Sequence, residues 1–164
     1  MKIGIISDTH NRLDLTKETL SFLHSANIDL LIHAGDIGID VLNFLKSSNI
    51  NYIAVLGNTD KDLLPFLGKE NNLFREPYYF IFENKKFKLM HHPYYLSADS
   101  DVIIYGHTHH FKCEKRASLY INPGEVCARE KARSECAIFD LKNFFVYYCY
   151  KELDKNSWQL TKEC

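Results

Sequence analysis

The sequence predicts an α/β sandwich, and two observations support that prediction. Apolar strand-like segments and amphipathic helix-like segments alternate through the first 58 residues, which is typical of βαβ units with a parallel sheet. From residue 78 onward the apolar segments are almost all extended, so the second half is expected to be rich in strands. A chain of 164 residues suits one domain, and we predict a single domain over residues 1–164.

The first three strands and two helices follow from the spacing of their apolar residues. Segment 2–7, KIGIIS, is a short β-branched run typical of a strand that is buried on both faces. Segment 14–26 repeats leucine at helical spacing and predicts a crossover helix. Segments 28–36 and 52–58 repeat the strand pattern, and segment 40–48 predicts the helix between them.

The second half is predicted to be a hairpin followed by four strands. Segment 78–92, YYFIFENKKFKLMHH, indicates two strands with a turn at Asn84 and Lys85. The last dozen residues carry no comparable signal, so we expect them to be dispensable. The four extended segments lie at 101–107, 118–124, 135–141 and 144–150.

Composition and charge narrow the classes of function. A net charge of −1 gives no overall field that favours nucleic acid or a membrane surface, so nucleic acid is an unfavoured partner. The chain has neither a signal-peptide core nor a run of roughly 18 apolar residues that could cross a membrane. The five cysteines form no CxxC pair and are interpreted as unpaired residues of a reducing compartment. We therefore expect a cytoplasmic protein without a membrane partner.

Metal-ligand residue types follow five of the predicted strands at the point where each strand ends. Because the carboxyl ends of strands in an open α/β sheet form the ligand crevice, these side chains are expected to converge. A single Asp or His after a strand is usually a cap or a core residue, but five such endings are not explained in that way. The seven candidate donors are Asp8, His10, Asp36, Asn58, His91, His107 and His109.

Local spacing favours this convergence. Asp8 and His10 are two positions apart, as are His107 and His109, so each pair can point the same way from an extended segment. Glycines can turn the backbone sharply and bring ligands close together. They precede three of the candidates, at Gly35, Gly57 and Gly106.

The donor set favours two metal ions. Seven oxygen and nitrogen donors are too many for one tetrahedral ion, and they suit two ions that share a bridging carboxylate. Imidazole and carboxylate donors without cysteine favour transition metals over Ca²⁺ and Mg²⁺. We expect two divalent transition-metal ions, with Mn²⁺ as the first choice and Ni²⁺, Fe²⁺, Co²⁺ or Zn²⁺ as alternatives.

The ordered motifs DTH, GD, GN with a following Asp, H and GHTH, and then NPG, resemble the calcineurin-like metallophosphoesterase superfamily. Within it the chain is similar to the small phosphodiesterases of the YfcE/MJ0936 type, over roughly residues 3–125. The resemblance implies the metallo-dependent phosphatase fold, a four-layer αββα sandwich of two mixed β-sheets flanked by helices.

The resemblance also implies roles for the seven donors. Asp8, His10, Asp36 and His109 would hold one ion, and Asp36, Asn58, His91 and His107 would hold the other, with Asp36 as the bridge. A hydroxide that bridges the ions would attack a small phosphodiester. Asp36, Asn58 and His10 are the expected catalytic residues.

Five further residues are of interest. Some are expected to support a metal ligand or contact the substrate, and others differ from the residues that are common in the superfamily. Thr59 stands where many members have a histidine that is thought to assist the leaving group, and loss of a general acid costs about 10²- to 10⁴-fold. His92 or Asp60 could supply that acid, although a helix cap is the favoured interpretation of Asp60. His33 is either a core residue or a partner that orients a ligand. His92 and Glu125 replace the Gly and Ser that are common in relatives.

Three functions are weighed. The leading one is a metal-dependent phosphodiesterase, with a homodimer as an open expectation. The second is a non-catalytic protein-binding scaffold like the retromer small subunit, which departs at ligand positions, whereas all seven donors are kept here. The third is a nuclease, for which 164 near-neutral residues leave little room.

Overall fold

The computed structural model describes residues 1–164 and contains twelve strands, two α-helices and one 3₁₀ helix, Lys61–Phe66. The N-terminal elements are β1 (Lys2–Ile6), α1 (Leu13–Ser25), β2 (Leu30–His33), α2 (Ile39–Ser47), β3 (Tyr52–Val55) and β4 (Leu73–Phe74). The remaining strands are β5 (Tyr78–Phe82), β6 (Lys85–Leu89), β7 (Val102–Ile104), β8 (Phe111–Lys115), β9 (Leu119–Pro123), β10 (Arg133–Asp140), β11 (Phe145–Glu152) and β12 (Gln159–Lys162).

The strands form two mixed sheets, which confirms the predicted α/β class. The first sheet has the order β12-β11-β10-β1-β2-β3-β4, in which β1 to β4 run parallel and β10 pairs antiparallel with β1. The second has the order β5-β6-β7-β9-β8, in which β6, β7 and β9 run parallel. Parallel strands leave each sheet at a common edge, where the loops that carry the candidate donors begin.

Two apolar layers hold the sheets and helices together. Alternate residues of β1, Ile3 and Ile5, face the second sheet and pack with Phe87 and Leu89 of β6. The opposite face of the first sheet packs against α1 and α2, whose leucines repeat at helical spacing. Burial of each such side chain contributes about 1.5–3 kcal/mol, so both faces of the first sheet stabilise the fold. Neither α-helix combines the length and apolarity that crossing a bilayer requires.

Helices cover only one face of this two-sheet sandwich. Both α-helices pack on the first sheet, whereas the outer face of the second sheet carries a small cluster of Met90, Ile103 and Tyr105. Loop 92–100 lies over that face, since Tyr120 of β9 donates a hydrogen bond to the carbonyl oxygen of Leu96. The helical layer expected on the second sheet is therefore replaced by a loop.

Several details differ from the sequence-based predictions. The predicted helices lie within one residue of the observed ones, but the short strands β4, β8 and β12 were not predicted. The hairpin turn is formed by Glu83 and Asn84, both with positive φ, one residue earlier than expected.

The structure does not support the expectation that the C-terminus is dispensable. Strand β12 pairs with β11, and Trp158 stacks on Phe22 of α1 with ring centroids 4.4 Å apart. The expectation of five unpaired cysteines is wrong for two of them, because Cys113 and Cys164 form a disulfide bond. The other three cysteines are buried and free, as expected.

Candidate metal centre

The structure brings all seven predicted donors together at the carboxyl edges of the two sheets. Four of them follow strands of the first sheet, Asp8 and His10 after β1, Asp36 after β2 and Asn58 after β3. The other three follow strands of the second sheet, His91 after β6 and His107 and His109 after β7. Donor atoms of Asp8, Asp36 and His91 lie within 4.8 Å of one another although the residues are far apart in sequence. We set Asp36 apart and divide the other six donors into two groups. The inner group is Asp8, His10 and His109, and the outer group is Asn58, His91 and His107.

The inner group is shielded from solvent. His109 Nε2 lies 3.3 Å from Asp8 Oδ1 and 3.4 Å from His10 Nε2. The His10 ring also faces Asp8 Oδ1 at 3.7 Å. Asp8 is fully buried, and the side chains of His10 and His109 are only 9% and 11% exposed. Three donor atoms thus point at one small volume.

The outer group is equally tight but opens to solvent. His91 Nε2 lies 2.9 Å from Asn58 Oδ1 and 3.2 Å from His107 Nδ1. Asn58 Oδ1 is 3.1 Å from the same His107 nitrogen. His91 is buried, whereas Asn58 and His107 are exposed. The outer group therefore forms the accessible side of the site.

Asp36 lies between the two groups. Its Oδ2 is 3.5 Å from His10 Nε2 and 3.4 Å from His91 Nε2, while Oδ1 accepts the backbone N–H of Thr59 at 2.9 Å. Burial alone would raise the pKa of Asp36, but the His91 contact and the Thr59 N–H hold it well below its ordinary value. The carboxylate is therefore ionised and faces both groups.

Left-handed backbone, and not an extended segment, aims the paired donors. Asp8 and His10 have φ of 53° and 43°, and His107 and His109 have φ of 67° and 60°. This corrects the expectation that period-two spacing in a strand aligns each pair. For most L-residues this region costs roughly 1–2 kcal/mol, and such strain is concentrated at functional sites.

The glycines allow the close approach that the sequence suggested. A β-carbon at Gly57 would overlap the carboxylate of Asp36, and one at Gly106 would overlap Ser7 Oγ and approach Asp8 Oδ2. Glycine is required at both positions because the neighbouring donor loops touch their backbones.

Hydrogen bonds behind the rings decide which nitrogens face the site. His91 Nδ1 lies 2.8 Å from the carbonyl oxygen of Ala34, which can only accept, so Nδ1 carries a proton and Nε2 points its lone pair inward. His109 Nδ1 likewise donates to Glu125 Oε2 at 2.5 Å, which leaves His109 Nε2 facing Asp8. Both inward nitrogens face oxygen acceptors.

An arrangement of inward-facing acceptors fits a cation. Asp8 Oδ1 is buried and has no hydrogen-bond partner, which is costly unless a positive charge approaches it. Burial raises the pKa of Asp8, but contacts with His10 and Ser7 lower it. The lowering is the larger effect, so the pKa lies below its ordinary value and the carboxylate is ionised. The residues present therefore fit the divalent metals on which the superfamily depends.

Glu125 is a supporting residue for which the sequence suggested no role. It is fully buried, and its Oε1 accepts the backbone N–H groups of Glu130 and Lys131 at 2.7 and 2.9 Å. Burial raises its pKa, but the His109 contact and these N–H groups lower it below the ordinary value, so it is ionised. Glu125 thus fixes the orientation of His109 as carboxylates do behind metal-binding histidines.

Cys127 lies beside this pair, and its sulfur is within reach of His10 and His109. Burial, followed by the charge of Glu125, raises the pKa of the Cys127 thiol to about 12. The thiol donates to Glu125 Oε2 at 3.4 Å and is protonated at neutral pH. It was not among the predicted ligands, and its protonated state does not favour metal binding.

His33 holds the loop that carries the inner group. Its Nδ1 accepts the backbone N–H of Gly35 at 3.2 Å, so Nε2 carries the proton and donates to Thr9 Oγ1 at 3.0 Å. Burial lowers the pKa of His33 to about 3, so the ring is neutral. His33 touches no donor side chain; it acts through Thr9, between Asp8 and His10.

Asp60 holds the loops that carry Asp36 and Asn58. It is buried and accepts N–H groups of Ile37 at 2.8 Å, Gly38 at 3.1 Å and Gly57 at 2.8 Å. Its side chain makes no capping hydrogen bond to the 3₁₀ helix that follows, so the cap interpretation is wrong. With its oxygens occupied in this way, Asp60 is not available as an acid for the leaving group.

Two of the substrate candidates lie at the rim. His92 Nδ1 is 2.5 Å from Glu76 Oε1, and Glu76 Oε2 accepts the backbone N–H groups of His91 and His92. Glu76 gave no signal in the sequence because it lies between two strands, far from the motifs. Thr59 is exposed, and its backbone N–H donates to the donor residue Asp36.

Known proteins resemble this chain in sequence and in fold. The sequence profile of the calcineurin-like phosphoesterase superfamily domain matches residues 1–144. Phosphodiesterase MJ0936 of Methanocaldococcus jannaschii is 34% identical over 141 residues, which are 77% of this chain and 85% of that protein. A solved archaeal phosphodiesterase superposes with a TM-score of 0.76 at 28% identity, covering 99% of this chain and 100% of the other.

Vacuolar protein sorting 29 from Cryptosporidium parvum also superposes, with a TM-score of 0.75. Its identity to this chain is 18%, and the superposition covers 99% of this chain and 96% of the other. At this identity the likeness establishes a shared fold and carries no statement about activity.

Proposed function

The chain belongs to the calcineurin-like phosphoesterase superfamily, and from that premise we propose that it is a metal-dependent phosphodiesterase with a dinuclear centre. One observation carries the proposal: Asp36 Oδ2 lies 3.5 Å from His10 and 3.4 Å from His91, between two groups of inward-facing donors. We propose that the chain acts as one domain over residues 1–164 on a small phosphodiester.

Each group would hold one divalent ion. Asp8, His10, Asp36 and His109 form the first ligand set, and Asp36, Asn58, His91 and His107 form the second. Mixed imidazole and carboxylate donors, with a protonated thiol nearby, favour a divalent transition metal. We propose Mn²⁺ as the first choice, with Ni²⁺, Fe²⁺, Co²⁺ or Zn²⁺ as alternatives.

When bound, such a pair of ions supplies a hydroxide nucleophile at neutral pH and neutralises the charge that builds on the phosphate oxygens. Asp36 would fix the position of the two ligand sets relative to each other. The backbone N–H of Thr59 holds one of its carboxylate oxygens, and the other oxygen faces both groups. Asn58 is exposed and would border the bound phosphate from the accessible side, and His10 would approach it from the inner group.

The site attracts an anion although the protein as a whole is slightly acidic. The carboxylates of Asp8 and Asp36 offset only half of the charge of two divalent ions, so the occupied site is positive. The net charge of −1 provides no wider field for a polyanion, which favours a small diester over nucleic acid.

The leaving group receives no proton from Thr59 or Asp60, and His92 directs its Nδ1 to Glu76. Thr59 has no titratable group, and Asp60 is occupied by three backbone N–H groups. We therefore expect diesters with stable aryl leaving groups to be cleaved far faster than dialkyl esters, by about 10²- to 10⁴-fold beyond their chemical difference.

Hydrolysis of bis(p-nitrophenyl) phosphate by the Mn²⁺-loaded protein tests the proposal directly. We expect turnover that a chelator abolishes and that Mn²⁺ restores, and we expect Asp36→Ala to lose both activity and metal. Asp62→Ala removes an exposed carboxylate in the neighbouring 3₁₀ helix and serves as the matched control. A metal-loaded protein that is inert, with Asp36→Ala indistinguishable from the parent, would defeat the proposal and favour the scaffold function.

A further inference from the structure

Loop 92–99, which we call the aromatic loop, is fixed by a buried lysine. The Lys88 side chain is fully buried on the outer face of the second sheet, and its ammonium donates to the carbonyl oxygens of Tyr95 at 2.7 Å and Ser97 at 2.9 Å. Asp99 Oδ1 neutralises the ammonium at 2.6 Å. A buried charge is tolerated only with such partners, so the lysine and the loop conformation require each other.

Although the aromatic loop is fixed, it presents apolar side chains to solvent. Tyr94 is 72% exposed, Tyr95 is 50% exposed and Leu96 is 38% exposed. Contiguous exposed apolar groups on a well-anchored loop are typical of a surface that contacts a ligand. The loop begins directly after His91, so this surface borders the outer group.

Two rings of the aromatic loop, His92 and Tyr94, continue from the ring of His107 in the outer group, and we call these three rings the ring ladder. The His92 ring lies 4.6 Å from that of His107, and the Tyr94 ring stacks on His92 at 4.8 Å and 12°. Glu76 fixes His92 through its ring nitrogen and its backbone N–H. One face of Tyr94 is therefore covered by His92, and the ring is otherwise largely open.

We propose that Tyr94, backed by His92, is a stacking subsite for a planar aromatic ring of the substrate, and that the substrate class is nucleotide-type phosphodiesters. This inference rests on the proposed function, because it takes the scissile phosphate to lie at the outer group. Two ring-to-ring steps of 4.6 and 4.8 Å separate His107 from Tyr94, a span that the sugar and phosphate of one nucleotide can bridge. Tyrosine stacks with every base, so the subsite selects for a base without selecting which one.

A neighbouring cavity extends the same binding region. It has a volume of about 240 Å³, and Asn58, Lys61, Arg75 and His92 contribute to its lining. Lys61 and Arg75 bring two cations to this lining, and Asp60 and Glu76 bring two carboxylates. A diester that stacks on Tyr94 can therefore direct its second substituent into a polar cavity lined by charges of both signs.

Binding of two product-like monoesters tests the subsite without requiring turnover. Calorimetric titration of the Mn²⁺-loaded protein compares adenosine 5′-monophosphate with ribose 5-phosphate, which lacks the base. We expect the nucleotide to bind about tenfold more tightly, and Tyr94→Ala to remove that difference while Tyr94→Phe keeps it. Tyr95→Ala, in the same loop but outside the ring ladder, is the matched control and should keep the preference.

Kinetics supply a second test with a constant leaving group. The p-nitrophenyl ester of thymidine 5′-phosphate and methyl p-nitrophenyl phosphate release the same phenol, but only the first carries a nucleoside. Tyr94→Ala should lower kcat/KM about tenfold for the nucleotide ester and leave the methyl ester unchanged.

The outcomes separate the subsite from the proposed function. If diesters are hydrolysed but the two monoesters bind equally, or Tyr95→Ala acts like Tyr94→Ala, the subsite is refuted and the phosphodiesterase stands. If no diester is hydrolysed but the nucleotide binds through Tyr94, the proposed function fails and the subsite stands. If Tyr94→Ala instead dissociates a dimer and no base preference exists, the loop is a contact between copies and the subsite is refuted.

Discussion

The inner and outer groups contain similar donors but differ in how the protein supports them. In the inner group, a buried carboxylate, Glu125, stands behind His109, and His33 holds the loop of Asp8 and His10 through Thr9. In the outer group, His107 is exposed, and its Nε2 makes no hydrogen bond within the protein. From this difference we propose a division of labour, in which the inner group would retain its ion and the outer group would meet substrate and solvent.

The largest expected effect comes from removing one histidine from each group. His109→Ala should weaken binding of the tighter ion by more than the roughly 10- to 100-fold that follows loss of a supporting partner. His107→Ala should weaken mainly the second, looser ion, because the outer group is solvent-exposed. Chelator-competition titrations with Mn²⁺ measure both steps. Equal losses in the two variants, or a greater loss with His107→Ala, would contradict the division.

Substitution of Glu125 tests whether its contact with His109 strengthens metal binding at the inner group. Glu125→Gln must turn its NH₂ group either to His109 or to the N–H groups of Glu130 and Lys131, so it cannot satisfy both sides. We expect about a 10-fold loss of affinity for the tighter ion and up to about 100-fold for Glu125→Ala.

Glu135→Gln controls for the loss of a buried carboxylate. Glu135 accepts the backbone N–H of Glu125 but touches no donor side chain, so metal affinity should be kept even where stability falls. If Glu135→Gln weakened metal binding as much as Glu125→Gln, the effect would be structural and not a property of the His109 contact.

The loops beneath the outer group depend on Asp60. Asp60→Asn replaces one carboxylate oxygen with a donor that must face an N–H group of Ile37, Gly38 or Gly57. We expect a loss of about 1–3 kcal/mol in the free energy of unfolding, measured by urea denaturation of the metal-free protein. Asp62→Asn, exposed in the adjacent 3₁₀ helix, should change stability little. A stable Asp60→Asn variant would show that other contacts hold these loops.

The smallest expected effect is a loss of folding stability in acid that is caused by His33, which holds the loop of Asp8 and His10. Burial lowers the pKa of His33 from 6.5 to about 3, so between these values the unfolded chain binds a proton that the folded chain does not. Its contribution to stability is therefore complete above pH 6.5 and is lost as the pH falls toward 3, by about 1 kcal/mol between pH 6.5 and 5.5.

Urea denaturation of the metal-free protein at these two pH values measures that loss. His33→Gln should be less stable than the parent at pH 6.5 but should lose less stability on acidification. A variant with the same pH dependence as the parent would assign the acid sensitivity to another group.

The helices and most strands could be predicted from the sequence, because the spacing of apolar residues indicates which face of each element is buried. The first three strands and both helices were identified from apolar spacing, and the ordered motifs identified the superfamily. The convergence of Asp8, Asp36 and His91 also followed from their positions at strand ends. These features depend on residue type and order alone.

What the sequence could not reveal depends on contacts between distant segments. Strand β12 is exposed and mostly polar, so no apolar pattern marks it. Glu125 and Glu76 lie outside the donor motifs, and their roles appear only where they meet His109 and His92. The left-handed backbone at Asp8 and His10 was missed because spacing is blind to φ.

Anomalous diffraction from crystals of the Mn²⁺-loaded protein tests the central claim most directly. We predict two peaks per chain, about 3.5–4 Å apart, one among the inner donors and one among the outer donors, with Asp36 between them. The inner peak should have the higher occupancy at limiting Mn²⁺. A single peak, a pair that Asp36 does not touch, or donors that remain joined only to one another would contradict the dinuclear centre.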